Sequence, residues 1–191
     1  GTLHLQENFM REDRGLPGLG TLVSETASFS ATQTSTRLMW KQAAWSVSPF
    51  FHLEKEQFSD PGGEIGLGIQ DNDNDTLRYG TEVGYQTLLG SRQNLSLTSL
   101  YQGEQFLPED FSSSESLPKS VRNQVAFGLE DEISLFEDRF LINPSVRSEH
   151  IFNNFADASP TLHPVSGKIG IRYLPAKPVV LKTNFARAYR I

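Results

Sequence analysis

The strongest structural signal in the chain lies at residues 168–187, which read KIGIRYLPAKPVVLKTNFAR. Ile169, Ile171 and Tyr173 alternate there with charged or small residues, and the same alternation resumes after the link at residues 175–178. An apolar residue at every second position is typical of a strand with one apolar face and one polar face. The segment therefore predicts two antiparallel strands joined as a hairpin by a proline-containing turn.

Similar alternating runs of about ten residues recur along the chain, and we count about nine strands. The connections between them alternate between short turns and long polar segments. The short turns fall near residues 42–44, 89–92, 137–139 and 175–178, and the long segments cover roughly 12–25, 57–76, 106–119 and 152–164. Short turns at one end and long loops at the other are typical of a transmembrane β-barrel. We therefore predict an all-β fold, an antiparallel up-and-down meander of about nine barrel strands.

Aromatic residues cluster beside the predicted short turns. Trp40 and Trp45 flank one turn, Phe136 and Phe140 flank another, and Tyr173 precedes a third. Tyr and Trp favour a membrane interface, because part of each ring system is apolar and part is polar. The alternative is that aromatic residues end strands here as they do in many β proteins.

Two residues conflict with the simple pattern. Asp131 falls on the apolar face of its strand, where a charge facing lipid is unfavourable near the membrane centre. Pro144 lies inside a strand and cannot donate a ladder hydrogen bond. We expect either a bulge or a position near the membrane interface for Asp131, and a bulge or a local break at Pro144.

The composition excludes several classes of protein. The chain has 191 residues, no cysteine, a formal charge of −6 and a pI near 5.2. The acidic balance argues against nucleic-acid binding, and the lack of cysteine excludes a disulfide framework. No run approaches the roughly 18 apolar residues of a membrane helix. No secretory signal follows Gly1, so we expect either a cytoplasmic chain or one trimmed from a longer protein.

Four segments, taken together, resemble the barrel of TonB-dependent outer-membrane receptors. The clearest is residues 180–191, VLKTNFARAYRI, which is similar to that family's L-K-x-N-x-x-x-x-[YF]-R strand. The others are RGLPG at residues 14–18, INPSVR at 142–147 and VSGKIGIRY at 165–173. They occur in the order and at the spacing that the family shows.

The resemblance implies a fold and a function for the longer protein. Barrels of this family have roughly 22 strands around a plug domain, so residues 1–191 would be a partial barrel domain without plug or signal peptide. The complete protein would be a transporter, not an enzyme, in the bacterial outer membrane. It would contact outer-membrane lipid, its plug and the TonB complex, and take up a small-molecule ligand of the siderophore-iron or cobalamin class. The alternatives are a complete small β-barrel or a soluble β-sandwich that binds a partner.

The only metal-like pattern is acidic. Asp71, Asp73 and Asp75 alternate in a predicted loop, and Glu82 follows at the spacing of the last ligand in a calcium-binding loop. Thr76 stands where such a loop requires glycine. The sequence therefore leaves open a calcium site or a solvated acidic loop, and it indicates no other cofactor.

The remaining polar residues suggest a wall and no catalytic site. No G-x-S-x-G motif is present, and we expect the four scattered histidines at strand or loop ends. A set of charged residues falls on the polar face of the predicted strands, where they could line the barrel interior or contact the plug. These are Lys168, Arg172, Lys182, Glu130 and Glu132, together with Arg187 or Arg190.

Overall fold

A computed structural model describes residues 1–18, 24–65, 68–112, 117–155, 160–176 and 179–189. The regular elements of this part of the chain are all β-strands. None of its segments is a helix long and apolar enough to cross a membrane. The strands are β1 Thr2–Gly15, β2 Ser28–Gln42, β3 Trp45–Asp60, β4 Gln70–Leu89, β5 Gln93–Asp110, β6 Ser120–Leu135, β7 Phe140–Asn154, β8 Thr161–Leu162, β9 Val165–Ala176 and β10 Val179–Arg187.

All ten strands belong to one antiparallel sheet in the order β1-β2-β3-β4-β5-β6-β7-β9-β10, with the two-residue β8 paired to β7. Each long strand pairs with its neighbour in sequence, as an up-and-down meander requires. Over the described residues, β1 and β10 do not pair with each other, so the sheet stays open. The predicted all-β meander is confirmed, and β8 is added to the nine strands expected.

The strands reach further into the long connections than the sequence predicts. β3 continues to Asp60, β4 begins at Gln70 and β5 ends at Asp110, all within segments predicted as loops. Asn and Asp are poor strand formers by themselves. Pairing with β3 and β5 nevertheless holds residues 70–76 in the ladder, so tertiary context overrides propensity there.

The short turns require a left-handed backbone. Ala43 has φ of 50° and Gly90 has φ of 69°, while Phe136, Glu137 and Asp138 are all at positive φ. Such conformations match the twist of the paired strands in tight hairpins. The predicted turn at residues 175–178 lies partly outside the described residues, at 177–178.

Asp131 and Pro144 sit opposite each other without a bulge. Glu130 pairs with Ser145 and Ile133 pairs with Ile142, so the register is the same on both sides of the break. The ladder is interrupted locally because proline has no N–H. Asp131 pairs with Leu95 on its other side, close to the short-turn end of β5. The structure therefore shows no bulge at Asp131 and confirms the local break at Pro144, and the interfacial position of Asp131 stays a prediction.

The described residues form a single layer with almost no interior. The buried apolar residues are Ala27, Ala31, Ala126 and Ile151. Most of the exposed large apolar side chains of the strands instead lie on one face of the sheet. A soluble sandwich would cover that face with a second sheet, so this sheet needs another apolar environment.

Candidate functional site

The exposed apolar side chains form a continuous band on one face. Trp45 pairs with Tyr85, and two strand positions further Val47 pairs with Val83. The row from Tyr85 continues through Leu97 to Leu129 on the next strands. Trp45 is 51% exposed and Phe127, beside this row, is 55% exposed. We call this surface the apolar band.

The apolar band has a defined width. On β3 it runs from Trp45 to Leu53 and on β4 from Leu77 to Tyr85, with Leu53 paired to Leu77. Each run is about nine residues, close to the 9–11 that a tilted strand needs to cross a bilayer. The next pair on the same face is Lys55 with Asp75, joined by a salt bridge of 3.0 Å between Nζ and Oδ2. The band therefore stops within one step of the ladder.

Beyond the band, both faces of β3 and β4 are largely polar. We call this part, residues 55–60 and 70–75, the polar extension. Its pairs on the face that continues the band are Lys55 with Asp75, Gln57 with Asp73 and Ser59 with Asp71. Water is the environment that these side chains fit.

Aromatic rings lie at the short-turn edge of the apolar band. The Trp45 and Tyr85 rings are 4.7 Å apart, and the Phe140 and Tyr173 rings are 6.1 Å apart. Trp40 is also exposed on this face, opposite Val47. The predicted aromatic edge is present, and it matches the girdle of a membrane barrel.

The opposite face is a wall of paired polar side chains. Arg78 Nε donates to Glu104 Oε2 at 2.8 Å, and Gln124 Nε2 donates to Glu149 Oε2 at 2.9 Å. Arg122 extends the network, since its Nε donates to Asn153 Oδ1 at 2.9 Å. Such pairs satisfy polar groups across neighbouring strands. The interior of a membrane barrel is polar in the same way.

Most of the charged residues predicted for this wall lie on it. The strand pairing places them on the same face as Glu149, and they are Lys168, Arg172, Lys182, Glu130 and Glu132. Arg187 is different, because it pairs with Gly167 on the apolar side. Its guanidinium lies 5.5 Å from the centre of the Tyr189 ring. Arg190 lies outside the described residues.

Aromatic side chains also occur within the polar wall. Phe50 lies on this face, with the Arg37 guanidinium 5.6 Å from the centre of its ring. The ring packs over Gly80, where an added Cβ would meet the Phe50 Cζ at 2.7 Å. Gly80 therefore provides space that any larger residue would fill, which alternation alone does not predict.

Two carboxylates, those of Asp60 and Glu64, accept hydrogen bonds within and between the long connections. The Asp60 side chain, 1% exposed, accepts hydrogen bonds from the amides of Glu64 at 2.8 Å and Ile65 at 2.9 Å. Glu64 Oε2 in turn accepts from the Ser24 hydroxyl at 2.6 Å and from the amides of Glu25 and Thr26. We call this network the loop clamp.

The loop clamp holds Glu64 in its charged form. The hydrogen bond from Ser24, followed by that from the Thr26 amide, lowers the pKa of the Glu64 carboxyl from 4.5 to about 2. Local sequence patterns do not reveal this network, because Asp60 and Glu64 belong to one connection and Ser24 to another. An Asp placed four residues before a Glu in a Gly-rich segment was the available local signal.

The residues predicted for calcium are not brought together as a loop. Asp71, Asp73 and Asp75 lie along strand β4, in the polar extension. Glu82 lies on the opposite face of the same strand, paired with Ser48. An extended strand separates ligands that a calcium loop would fold around one ion, and Asp75 is paired with Lys55. Over the described residues no three acidic or histidine side chains converge on one point, and calcium binding stays a prediction.

The histidines divide into two groups. His4 and His52 lie on the polar face, where His52 Nε2 is 3.8 Å from Glu54 Oε2. His150 and His163, 13 residues apart in sequence, come together at the long-loop end of β7. Their spacing matches no local metal motif, and only the pairing register reveals the contact.

Comparison with solved structures identifies outer-membrane transporters with the same fold. The FrpB iron transporter of Neisseria meningitidis, in its F5-1 apoprotein form, has a TM-score of 0.73 and 13% identity, covering 99% of this chain and 34% of its own. The ferric citrate transporter FecA in its unliganded form has a TM-score of 0.69 and 15% identity, covering 95% of this chain and 32% of its own. BauA, the ferric preacinetobactin receptor of Acinetobacter baumannii, has a TM-score of 0.63 and 9% identity, covering 95% of this chain and 36% of its own.

The chain spans about a third of the length of these transporters. At such identities the likeness establishes the fold. No curated protein sequence matches the chain.

A family comparison agrees with the motifs in the sequence. The family described as TonB dependent receptor-like, beta-barrel matches residues 10–191. Its members are transporters of the Gram-negative outer membrane, not enzymes. Because the match covers nearly the whole chain, this protein belongs to the TonB-dependent receptor β-barrel family.

Proposed function

We propose that residues 1–191 form part of the barrel wall of a TonB-dependent transporter that imports a ferric complex across the outer membrane. The observation that carries the proposal is the apolar band, an uncovered apolar surface about nine residues wide with an aromatic edge. Lipid is the environment that stabilises such a surface. The paired polar wall on the other face suits a water-filled or plugged interior.

Iron is favoured over cobalamin by the neighbours in structure. FrpB is an iron transporter, FecA transports ferric citrate, and BauA is a receptor for ferric preacinetobactin. We extend only this shared class of cargo to the present chain. The loops described here contain no residue set that would name the individual ligand.

The open sheet supports a place within a larger barrel. Both β1 and β10 have one unpaired edge within the described sheet, and open edges tend to pair with another strand. In the complete transporter we infer that further strands pair there, that a plug fills the interior, and that the TonB complex supplies energy. The same reasoning disfavours a β-sandwich, whose second sheet has no counterpart among the described strands.

The test combines location with transport. Antiserum against residues 1–191 is used to probe outer-membrane, inner-membrane and soluble fractions of the source cells, grown with iron and with an iron chelator. We expect a detergent-extracted outer-membrane band, larger than this chain and stronger under iron limitation. Uptake of radioactive iron, presented as several ferric chelates, is then compared in wild-type, gene-deleted and tonB-deleted cells.

The two parts of the test separate the possible outcomes. Loss of uptake of one ferric chelate in both deletion strains supports the proposal. A soluble band of about 21 kDa, the mass of this chain, would contradict the barrel placement. An outer-membrane band whose deletion changes cobalamin uptake and no iron uptake would contradict the cargo alone.

A further inference from the structure

His150 and His163 form a close pair of potential metal ligands that the proposed function does not use. Their Nδ1 atoms are 2.7 Å apart, and the ring centres are 4.7 Å apart with the planes inclined by 66°. One imidazole therefore donates its Nδ1–H to the Nδ1 of the other. Both ring nitrogens point at the same small volume.

Strand pairing fixes this arrangement. Ile151 pairs with Leu162 in the β7–β8 ladder and Ser148 pairs with Val165 in the β7–β9 ladder, which places His163 directly opposite His150. The Glu149 amide donates to the Pro164 carbonyl at 2.9 Å on one side. The histidines thus occupy a non-hydrogen-bonded position, where opposing side chains approach most closely in an antiparallel sheet.

The segment that carries His163 is held at both ends. The Asn153 amide donates to the Pro160 carbonyl at 3.3 Å, and Pro164 accepts from Glu149. Two prolines therefore border a short arm that follows β7, and their fixed φ angles limit its freedom. A preorganised pair of ligands loses little entropy when an ion binds.

The chemistry of the pair suits a late transition metal. Zn²⁺ binds imidazole nitrogen at about 2.0–2.1 Å in tetrahedral geometry, which places two nitrogens of one ion roughly 3.3 Å apart. The observed 2.7 Å therefore needs an opening of roughly 0.6 Å. Two imidazoles without a carboxylate favour Cu²⁺ and Zn²⁺ over Ca²⁺ or Mg²⁺, which prefer oxygen ligands.

We propose that His150 and His163 form a two-nitrogen site for a divalent late transition-metal ion such as Cu²⁺ or Zn²⁺. On binding, the donating ring moves its proton from Nδ1 to Nε2, so that both Nδ1 lone pairs face the ion. No third acidic or histidine ligand joins the pair within the described residues. The other coordination positions are therefore open to water or to a ligand that arrives with the metal.

The site lies where an ion in water can reach it. His150 is about ten residues from the short-turn end of β7, or about 34 Å of strand at about 3.4 Å per residue. At a tilt of about 40° this corresponds to a height of about 26 Å, just beyond an apolar belt of about 25 Å. The site therefore lies at the long-loop edge of the apolar band, where His150 pairs with Val125 and His163 is exposed.

Copper titration of the complete protein tests the proposal. Tag-free protein is purified in detergent, and Cu²⁺ binding is followed by isothermal titration calorimetry, with electron paramagnetic resonance of the one-equivalent complex. We expect one tight site with two nitrogen ligands, from which Zn²⁺ displaces Cu²⁺. His150→Ala and His163→Ala should each weaken binding by about tenfold or more, because even loss of a group that only orients a ligand costs 10–100-fold.

Matched variants make the result decisive. His4→Ala and His52→Ala remove histidines outside the pair and should leave both the affinity and the two-nitrogen spectrum unchanged. Circular dichroism and heat-modifiable gel migration establish that each variant is folded. Equal affinity in wild type, His150→Ala and His163→Ala would overturn the proposal, as would a signal lost on replacing His52. Both results are independent of which ligand the protein transports.

Discussion

The apolar band and the polar extension belong to the same strands, yet their outward faces differ completely. On β3 and β4, pairs such as Val47 with Val83 give way to Lys55 with Asp75. The β3–β4 ladder and its register continue without change. The proposed membrane placement accounts for the switch, since a strand in lipid needs an apolar outer face and a strand in water does not.

The difference between the two regions shows that backbone pairing determines the sheet, whereas side-chain polarity determines the environment that each part of it suits. Backbone pairing holds both regions in the sheet, so the polar extension stays ordered despite residues that disfavour strands. In the proposed barrel, side-chain polarity then sets the height of the sheet in the membrane. The Leu53–Leu77 pair marks the upper boundary.

The largest effect should come from moving a charge between the two regions. Phe51→Arg places a cation in the apolar band and should destabilise the protein by about 2–3 kcal/mol, the cost of Arg near the middle of a bilayer. Gln57→Arg, on the same strand and face but in the polar extension, should cost less than about 0.5 kcal/mol. Urea-dependent folding into phospholipid vesicles measures both. Equal losses of stability in the two variants would contradict a boundary between the apolar band and the polar extension.

A smaller effect on stability is expected from substitutions in the short turns beside the apolar band. Ala43 and Gly90 both have positive φ. Gly90→Ala should destabilise the protein by roughly 1 kcal/mol and Ala43→Gly should stabilise it by a similar or smaller amount, because a Cβ is unfavourable in the left-handed region. Folding free energies in vesicles test the opposite signs. The same sign for both substitutions would show that turn conformation does not limit stability.

Ion pairs should contribute less to stability than the turns do, and the contribution should differ between the polar wall and the polar extension. Arg78 and Glu104 lie on the polar wall, with side chains 43% and 25% exposed, whereas Lys55 and Asp75 are more open to solvent. Double-mutant cycles with alanine should give a coupling energy of up to about 1 kcal/mol for the first pair and about 0.2–0.5 kcal/mol for the second. Added salt should weaken the second pair more. A stronger coupling for Lys55–Asp75 would contradict this ranking.

The loop clamp should have a local effect with little change in global stability. Because its pKa is about 2 in the folded protein against an ordinary value of 4.5, Glu64 stabilises the clamp above pH 4.5, and this stabilisation is lost as the pH falls towards 2. Glu64→Ala should speed hydrogen exchange of the Glu25 and Thr26 amides at pH 7. Glu56→Ala, on the β3 ladder, is the control. Unchanged exchange at residues 24–27 would show that the clamp is not stable in solution.

Much of the sheet could be predicted from sequence because one face of it is apolar. Alternation at Ile169, Ile171 and Tyr173 is a local property that survives without knowledge of the partners. The four segments that resemble the family then predicted that the sheet belongs to a barrel. Strand ends in the polar extension could not be predicted, since Asp71 and Asp75 are held by neighbours that the local pattern does not specify.

The difference between a local pattern and pairing with other strands also determines which site residues could be predicted. Charged residues of the polar wall follow from strand period, as Lys168 and Arg172 show. The calcium interpretation of Asp71, Asp73, Asp75 and Glu82 assumed a loop, and the strand separates Glu82 from the others. The pairing of His150 with His163 depends on register across a connection, which no spacing rule contains.

The most direct test of the account is a nitroxide scan along β3. The chain has no cysteine, so single cysteines are placed at each of residues 45–59 in the complete protein, after any cysteine outside this chain has been replaced, and are labelled in vesicles. Power-saturation spectroscopy then compares access of oxygen, which concentrates in lipid, with access of a water-soluble nickel complex. We predict high oxygen access at odd positions from 45 to 53, and nickel access at 55, 57 and 59. Nickel access at every odd position, or no alternation at all, would contradict a membrane-spanning wall.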